Sequence, residues 1–387
     1  MLNIVALSPQ FPENFTHFWL RLAEAGARVL GVSDAAWEDL QPELKSALTE
    51  YYRVDDLHQT DQIERACHHF IEKYGAIDYL ESHNEYWLET EAVLRTRLGI
   101  KGPNLDTIFA LKRKSQMQTM YEQANIPVSP GVLATSLEVC RELISRVGYP
   151  VVAKPDIGVG AASTYKIESL AELQAFWDNK PDVQYFLQAF IEGELHSFDG
   201  LVDKDGKILF YASHAFKQGI METVNHDLDL AYYSLRHIPA ELVDVGQRAV
   251  HAFGIKERFF HFEFFRKPDG SWVALEVNMR PPGGWTTDMF NYANDLDVYR
   301  GYAELLTTGG FPYEEAERRF HVAYAGRKNR NYRYSHDEIL AKFGKKLVHN
   351  GPMAPVFHPV MGIHGYLIRT PDLEELHQML STIHAVA

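Results

Sequence analysis

The stretch from Phe259 to Trp285, FFHFEFFRKPDGSWVALEVNMRPPGGW, constrains this chain more than any other. Two apolar-rich runs flank Asp269-Gly270, a pair suited to the positive φ angles of a tight hairpin turn. A loop symmetric about that pair fixes the register, so that Glu263 faces Glu276 and His261 faces Asn278. Pro268 has no N–H for an innermost pair, but a four-residue loop on the same centre keeps that register. Alternation then projects Glu276, Asn278 and Arg280 from one face and Leu275, Val277 and Met279 from the other. Opposed carboxylates repel, so a positive group is expected between them. The hard oxygens of two Glu and one Asn suit Mg²⁺. The plain alternative is a solvated strand face whose charges merely coincide.

A chain of 387 residues, 46% hydrophobic and 23% charged, is long enough for two or three packed units. Its formal charge of −14 argues against a nucleic-acid partner. Basic residues converging in a cleft could still bind a nucleotide. Cys67 and Cys140 lie far apart and offer neither a disulfide framework nor a cysteine metal motif. The opening LNIVALS lacks the form of a secretion signal and no apolar run reaches membrane length, so the cytoplasm is the expected location.

Residues 2–7, 14–26 and 28–33 read as a β-α-β opening. Its first turn carries Ser8-Pro9-Gln10 where a dinucleotide site would place glycines, which argues against NAD there. After a helix at 61–73, a strand at 76–80 delivers Glu81 to Glu85 onto the sheet's carboxyl edge, where open α/β sheets bind ligands. Glu85 could read a substrate or cap a helix. A composition shift at Gly102-Pro103-Asn104 marks a boundary, and 105–125 reads as one helix with Lys112, Arg113 and Lys114 near its start. Strands are expected around 128–133, 184–191, 196–202, 208–213 and 320–325, with helices at 136–147, 239–253, 295–306 and 371–384. Lys154 leaves its strand beside the loop Asp156-Ile-Gly158-Val-Gly160-Ala-Ala-Ser163, whose small residues admit a polyphosphate to backbone N–H groups. This is not a Walker A loop, since no Lys-Ser/Thr follows the glycines. The polar 217–229 could be a flap or a plain loop, and HPVMGIHGYLIRT looks like a hairpin. Arg327, Lys328, Arg330 and Arg333 fit a site, a dimer surface or, as is usual for such a run, a solvated face.

Lys114, the Lys154-to-Gly160 strand and loop, the strand at 184–191 and Glu263…Glu276-Val-Asn278-Met-Arg280 occur in an order that resembles the ATP-grasp superfamily, the fold of D-alanine:D-alanine ligase and biotin carboxylase. The likeness spans roughly residues 1–310. It implies an α/β fold, α+β in the ATP-binding part. Residues 1–103 would form a Rossmann-like pre-ATP-grasp domain, 104–190 a small ATP-grasp subdomain, 191–310 a large one with the metal site, and 311–387 an extension packed on it.

By that resemblance Lys114 and Lys154 hold ATP phosphates under a loop with Gly158 and Gly160, Lys112 being a near competitor. Gln188, Phe190 and Ile191 form the adenine hinge, with Gln188 in place of the usual Glu. Glu194 takes the ribose, one position earlier than the family pattern. Glu263, Glu276 and Asn278 hold Mg²⁺, for which Mn²⁺ could substitute, and Arg280 stabilises a transferring phosphoryl group. Gly283 and Gly284 offer N–H groups to a substrate carboxylate. Pro-Pro-Gly-Gly could equally be only a rigid turn.

The activity implied is an ADP-forming ligase that joins a small carboxylate to an amine through an acyl phosphate, with neither nucleic acid nor membrane as partner and a homodimer admitted. A bicarbonate-activating enzyme, a kinase and a non-catalytic MgATP-binding module are the alternatives.

Overall fold

The computed structural model of the chain describes residues 1–158, 163–313 and 317–387. Four short parallel strands open it: β1 (Asn3–Leu7), β2 (Arg28–Ser33), β3 (Glu50–Arg53) and β4 (Tyr79–Glu81), in the order β3-β2-β1-β4. β1 is buried along its whole length, as befits a strand covered on both faces.

A second, antiparallel sheet holds β5 (Gly131–Leu133), β6 (Val151–Pro155), β7 (Tyr165–Ile167) and β8 (Tyr185–Ala189), in the order β5-β8-β6-β7. One face packs Val151, Ala153, Tyr185 and Leu187 against Cys140, Leu143, Leu173 and Phe176 of two covering helices. Alternation therefore turns Val152, Lys154, Phe186 and Gln188, which pair across β6 and β8, to the other face. Cys67 and Cys140 are free and buried, and burial pushes their thiols up to about 12 and 11, which makes both inert.

The largest sheet has nine strands: β9 (Glu194–Val202), β10 (Ile208–Ala212), β11 (His214–Phe216), β12 (Ala231–Ser234), β13 (Arg258–Arg266), β14 (Trp272–Asn278), β15 (His321–Arg327), β16 (Leu347–Pro352) and β17 (His364–Thr370). They run β14-β13-β9-β11-β12-β15-β17-β16, with β10 also on β9. Residues beyond 310 thus continue this sheet through the β12–β15 pairing. The expected hairpin in HPVMGIHGYLIRT is corrected: His358–Met361 is a helical turn with Pro359 at its start, and the hairpin lies between β16 and β17. Pro359 fits a first helical turn, which needs no N–H there.

Two helices also differ from expectation. Thr286–Asn294 is helical although its Thr, Asn and Tyr are weak helix formers; buried Met289, Phe290 and Ala293 supply the stabilising face. The segment 217–229 contains a helix at Ile220–Asn225. It is tied down by Lys328 Nζ on Asp227 Oδ1 at 2.7 Å and by Tyr332 OH donating to Asp229 Oδ1 at 2.8 Å. Lys328 and Arg327 are buried, so this part of the basic run is an anchor and not a solvated face.

The first sheet and the large sheet share one core. Phe18 and Leu22 of the helix Thr16–Glu24 pack with Phe259, Phe290, Tyr299 and Tyr302. Arg258 at the start of β13 reaches Glu81 at the end of β4, at 2.8 Å. Glu81 is in turn 3.0 Å from Arg95, which stands 2.8 Å from Glu91, so these four buried charges are paired with one another.

Candidate active site

In the hairpin Glu263 lies opposite Glu276 and His261 opposite Asn278, the register read from the sequence. The turn itself is different. Lys267 N–H donates to the Ser271 carbonyl at 2.9 Å and Gly270 N–H to the Lys267 carbonyl at 2.9 Å, so Pro268-Asp269-Gly270 is a three-residue loop. Gly270 closes it at φ 84. Asp269 accepts from the Ser271 N–H at 2.9 Å and hydroxyl at 2.6 Å, which favours this turn over the symmetric one. A bulge at Leu275 absorbs the one-residue difference and reverses the alternation. Trp272 and Ala274 consequently share the core with Val277 and Met279, while Leu275, expected among them, is only partly buried.

The two lysines reach this pair by different routes. The expected single helix over 105–125 breaks at Arg113, whose ψ is 115. The cause is Asp156: its carbonyl accepts from Lys114 N–H and its carboxylate from Ser115 N–H, both at 2.9 Å, so a new helix, Lys114–Gln123, begins there. Lys114 is buried and its Nζ donates to the Gly158 carbonyl at 3.1 Å. Lys112 points elsewhere, to Glu89 at 2.6 Å. Gly160 lies outside the described residues.

Burial and the nearby Lys114 lower the Lys154 ammonium to about 8, against the opposing pull of Glu276 and Glu263. Burial raises the Glu276 carboxyl; Lys114 and Lys154 oppose this, while Glu263 and Glu85 add to it. Two cations and three carboxylates therefore act on one another within a single cleft. Asn278 is buried beside them. Among the described residues no three His, Cys, Asp or Glu converge into a metal cage. Two carboxylates and a carboxamide fit an ion that keeps waters and shares phosphate oxygens, which is how Mg²⁺ is usually held.

Glu85 and Arg280 meet across the joint between the first and largest sheets. Glu85 Oε2 accepts from Arg280 Nη2 at 2.5 Å and Nε at 3.1 Å. Asn84 caps the short helical turn that presents Glu85. The following Gly284 has φ 61, and a Cβ there would come within 2.3 Å of Met361 Cε. Its carbonyl accepts from Asn14 Nδ2 at 3.0 Å. A Cβ on Gly283 would meet nothing within 4 Å, so that backbone faces open space. Trp285, which ends this loop, packs on Tyr324 and His349.

At the hinge, Gln188 is buried and its amide nitrogen donates to the Ser129 carbonyl at 3.1 Å. A carboxylate at 188 would repel that carbonyl, which accounts for the amide. Phe190 donates its N–H to the Pro150 carbonyl at 3.1 Å and its ring lies 4.9 Å from Lys166 Nζ. Ile191 follows, half-buried. The Glu194 side chain is 74% exposed and has His196 Nε2 at 3.7 Å. It stands three residues along β9 from Ser197, which pairs with Glu263.

Asp199 was not among the residues singled out from the sequence. It is fully buried, with His261 Nδ1 at 2.5 Å and His214 Nδ1 at 3.0 Å. Burial would raise its carboxyl, yet the two histidines hold it at about 2. Burial likewise opposes charge on His261, but Asp199 and Glu263 raise it to about 9. The available signal was an Asp within the apolar strand His196-Ser-Phe-Asp-Gly-Leu-Val202.

Residues 147–289 match the ATP-grasp domain family. Over 259 residues the chain is 26% identical to the L-arginine-specific L-amino acid ligase of Bacillus subtilis, covering 64% of this chain and 62% of that protein, less than two thirds of its length. It is 24% identical over 182 residues to the arginine-specific carbamoyl phosphate synthase large chain of Geobacillus stearothermophilus, covering 46% of this chain and 17% of that one. The solved L-amino acid ligase from Bacillus licheniformis superimposes with a TM-score of 0.75 at 14% identity, over 98% of this chain and 96% of that one. The biotin carboxylase domain of the Hydrogenobacter thermophilus 2-oxoglutarate carboxylase, solved with MgADP and bicarbonate, gives 0.70 at 15% identity over 98% and 89%. The fold is that of these solved enzymes, and the ATP-grasp match falls on the part of the chain that carries Lys154, Glu263, Glu276 and Asn278. Residues 147–289 are thus similar to ATP-grasp domains, and the relatives named here are ligases and related ATP-dependent enzymes.

Proposed function

We propose that the protein is an ADP-forming ligase that activates the carboxylate of an amino acid with ATP and joins it to an amine. The observation that carries this reading is the Glu85–Arg280 pair beside Glu276. A zwitterionic α-amino acid brings the two complementary charges and can replace that pair with one ammonium and one carboxylate. Glu263, Glu276 and Asn278 would hold Mg²⁺, or Mn²⁺ in its place. When bound, the ion neutralises charge on the β- and γ-phosphates.

Lys114 and Lys154 bind the polyphosphate, and the hinge meets the base through the Gln188 carbonyl oxygen and the backbone of Ile191. The substrate carboxylate oxygen attacks the γ-phosphorus and ADP leaves. Arg280 faces the phosphoryl group as its charge shifts, and Gly283 orients the carboxylate. The amine nitrogen then attacks the acyl carbon, the acyl–phosphate oxygen bond breaks, and phosphate and one proton leave. No side-chain nucleophile is needed; positioning and charge complementarity do the catalysis. A net charge of −14 suits small-molecule partners over nucleic acid.

The test is a phosphate-release screen of amino acids, singly and in pairs, with ATP and Mg²⁺. Release that requires an amino acid and a second amine supports the ligase. Release that requires only bicarbonate, or phosphate retained on the substrate, would sink it.

A protonation signature follows from Lys154. Its free-state value of about 8 lies below the ordinary lysine value, so above pH 8 much of the free protein carries it neutral. A polyphosphate favours the ammonium, and ADP binding should therefore take up close to one proton at pH 9 and almost none near pH 6.5. Calorimetry in two buffers of different ionisation enthalpy measures this, and Lys154→Met should remove the uptake.

A further inference from the structure

We propose that Asp199 is a positioning residue for Glu263, acting through His261: the buried carboxylate locks the imidazole so that its Nε2 is presented to the carboxylate that would hold the metal. The proposal rests on the reading of Glu263 and Glu276 as metal ligands. Asp199 Oδ1 lies 2.5 Å from His261 Nδ1, while Oδ2 lies 3.0 Å from His214 Nδ1 and accepts from Ser197 Oγ at 2.6 Å. An ionised carboxylate only accepts, so both rings turn an Nδ1–H toward it and their orientations are fixed.

The far nitrogens of the two rings differ. His261 Nε2 stands 3.6 Å from Glu263 Oε1. His214 Nε2 is buried without a hydrogen-bond partner, its ring against Tyr232 and Phe290. A carboxylate present only to satisfy core histidines has no need to aim one of them into the cleft. The register of the central strands builds the aim in: β9 and β13 set Asp199 beside His261 and Ser197 beside Glu263. His261 in turn lies opposite Asn278, which sets the imidazole at the level of the proposed ligands.

The test is Mn²⁺ binding in the presence of ADP, followed by electron paramagnetic resonance without turnover, on the wild type and on Glu276→Gln, Asp199→Asn and His261→Asn. Asn at 261 keeps a donor near the Nδ1 position and removes Nε2. Asp199→Asn and His261→Asn are each expected to weaken Mn²⁺ about 10–100-fold. The Mg²⁺ needed for half-maximal ADP formation should rise in parallel, with kcat at saturating Mg²⁺ largely retained. Should Asp199→Asn fail to fold, His261→Asn decides alone. Wild-type Mn²⁺ affinity in these two variants, with Glu276→Gln weakened, overturns the positioning role and leaves the metal reading standing. Undiminished Mn²⁺ affinity in Glu276→Gln overturns both.

Discussion

Replacing Glu276 by Gln is expected to lower Mg²⁺-dependent ADP formation by about 10²–10³-fold while leaving the fold intact. The substitution keeps size and shape and removes one charge from a cleft that holds Lys114, Lys154, Glu263 and Glu85. Burial already raises this carboxyl, so the amide relieves repulsion from Glu263 in the free protein. Thermal unfolding of the variant should therefore be unchanged or shifted upward as turnover collapses. A turnover assay paired with a melting curve separates the two effects. Undiminished turnover would remove the hairpin from the chemistry.

Arg280→Lys should reduce kcat about 10²-fold, because a single ammonium cannot reproduce the fork that spans Nε and Nη2. In the free protein both nitrogens address one oxygen of Glu85, at 3.1 and 2.5 Å. The proposed exchange of this pair for substrate charges also separates the roles of its two members. Glu85→Gln should act mainly on the KM of the amino acid, since the ammonium loses its counter-charge while the phosphoryl contact stays. Steady-state kinetics on both variants provides the comparison, and an equal fall of kcat in the two would contradict that division of labour.

The hairpin was legible because two independent features of the sequence agree on it, a turn dipeptide and a strict alternation, and a metal-type donor set falls on one face. Its turn was misread for a local reason: Asp269 engages Ser271 and tightens the loop by one residue, and the compensating bulge at Leu275 has no signature in the apolar run. Lys112 and Lys114 could not be separated from sequence alone. What separates them is Asp156, 42 residues beyond Lys114, whose carboxylate starts a new helix at the second lysine. Asp199 escaped notice for a related reason. A polar residue in a buried strand acquires meaning only when the partners on neighbouring strands are known, and His214 and His261 come from different connections. The helix at Thr286–Asn294 was hidden by weak propensity and is stabilised by packing.

The joint between the first sheet and the largest sheet has a consequence for what the cleft can measure. Glu85 belongs to one side and Arg280 to the other, and the gap between them is set by Phe18 against Phe259 and Tyr299, with ring centroids 5.5 and 4.7 Å apart, and by Arg258 on Glu81. The shared core therefore serves as a ruler with little play. On the proposed reading a substrate must part Glu85 from Arg280, which are in contact in the free protein, and with the backbones on either side held by this packing the parting falls to the two side chains.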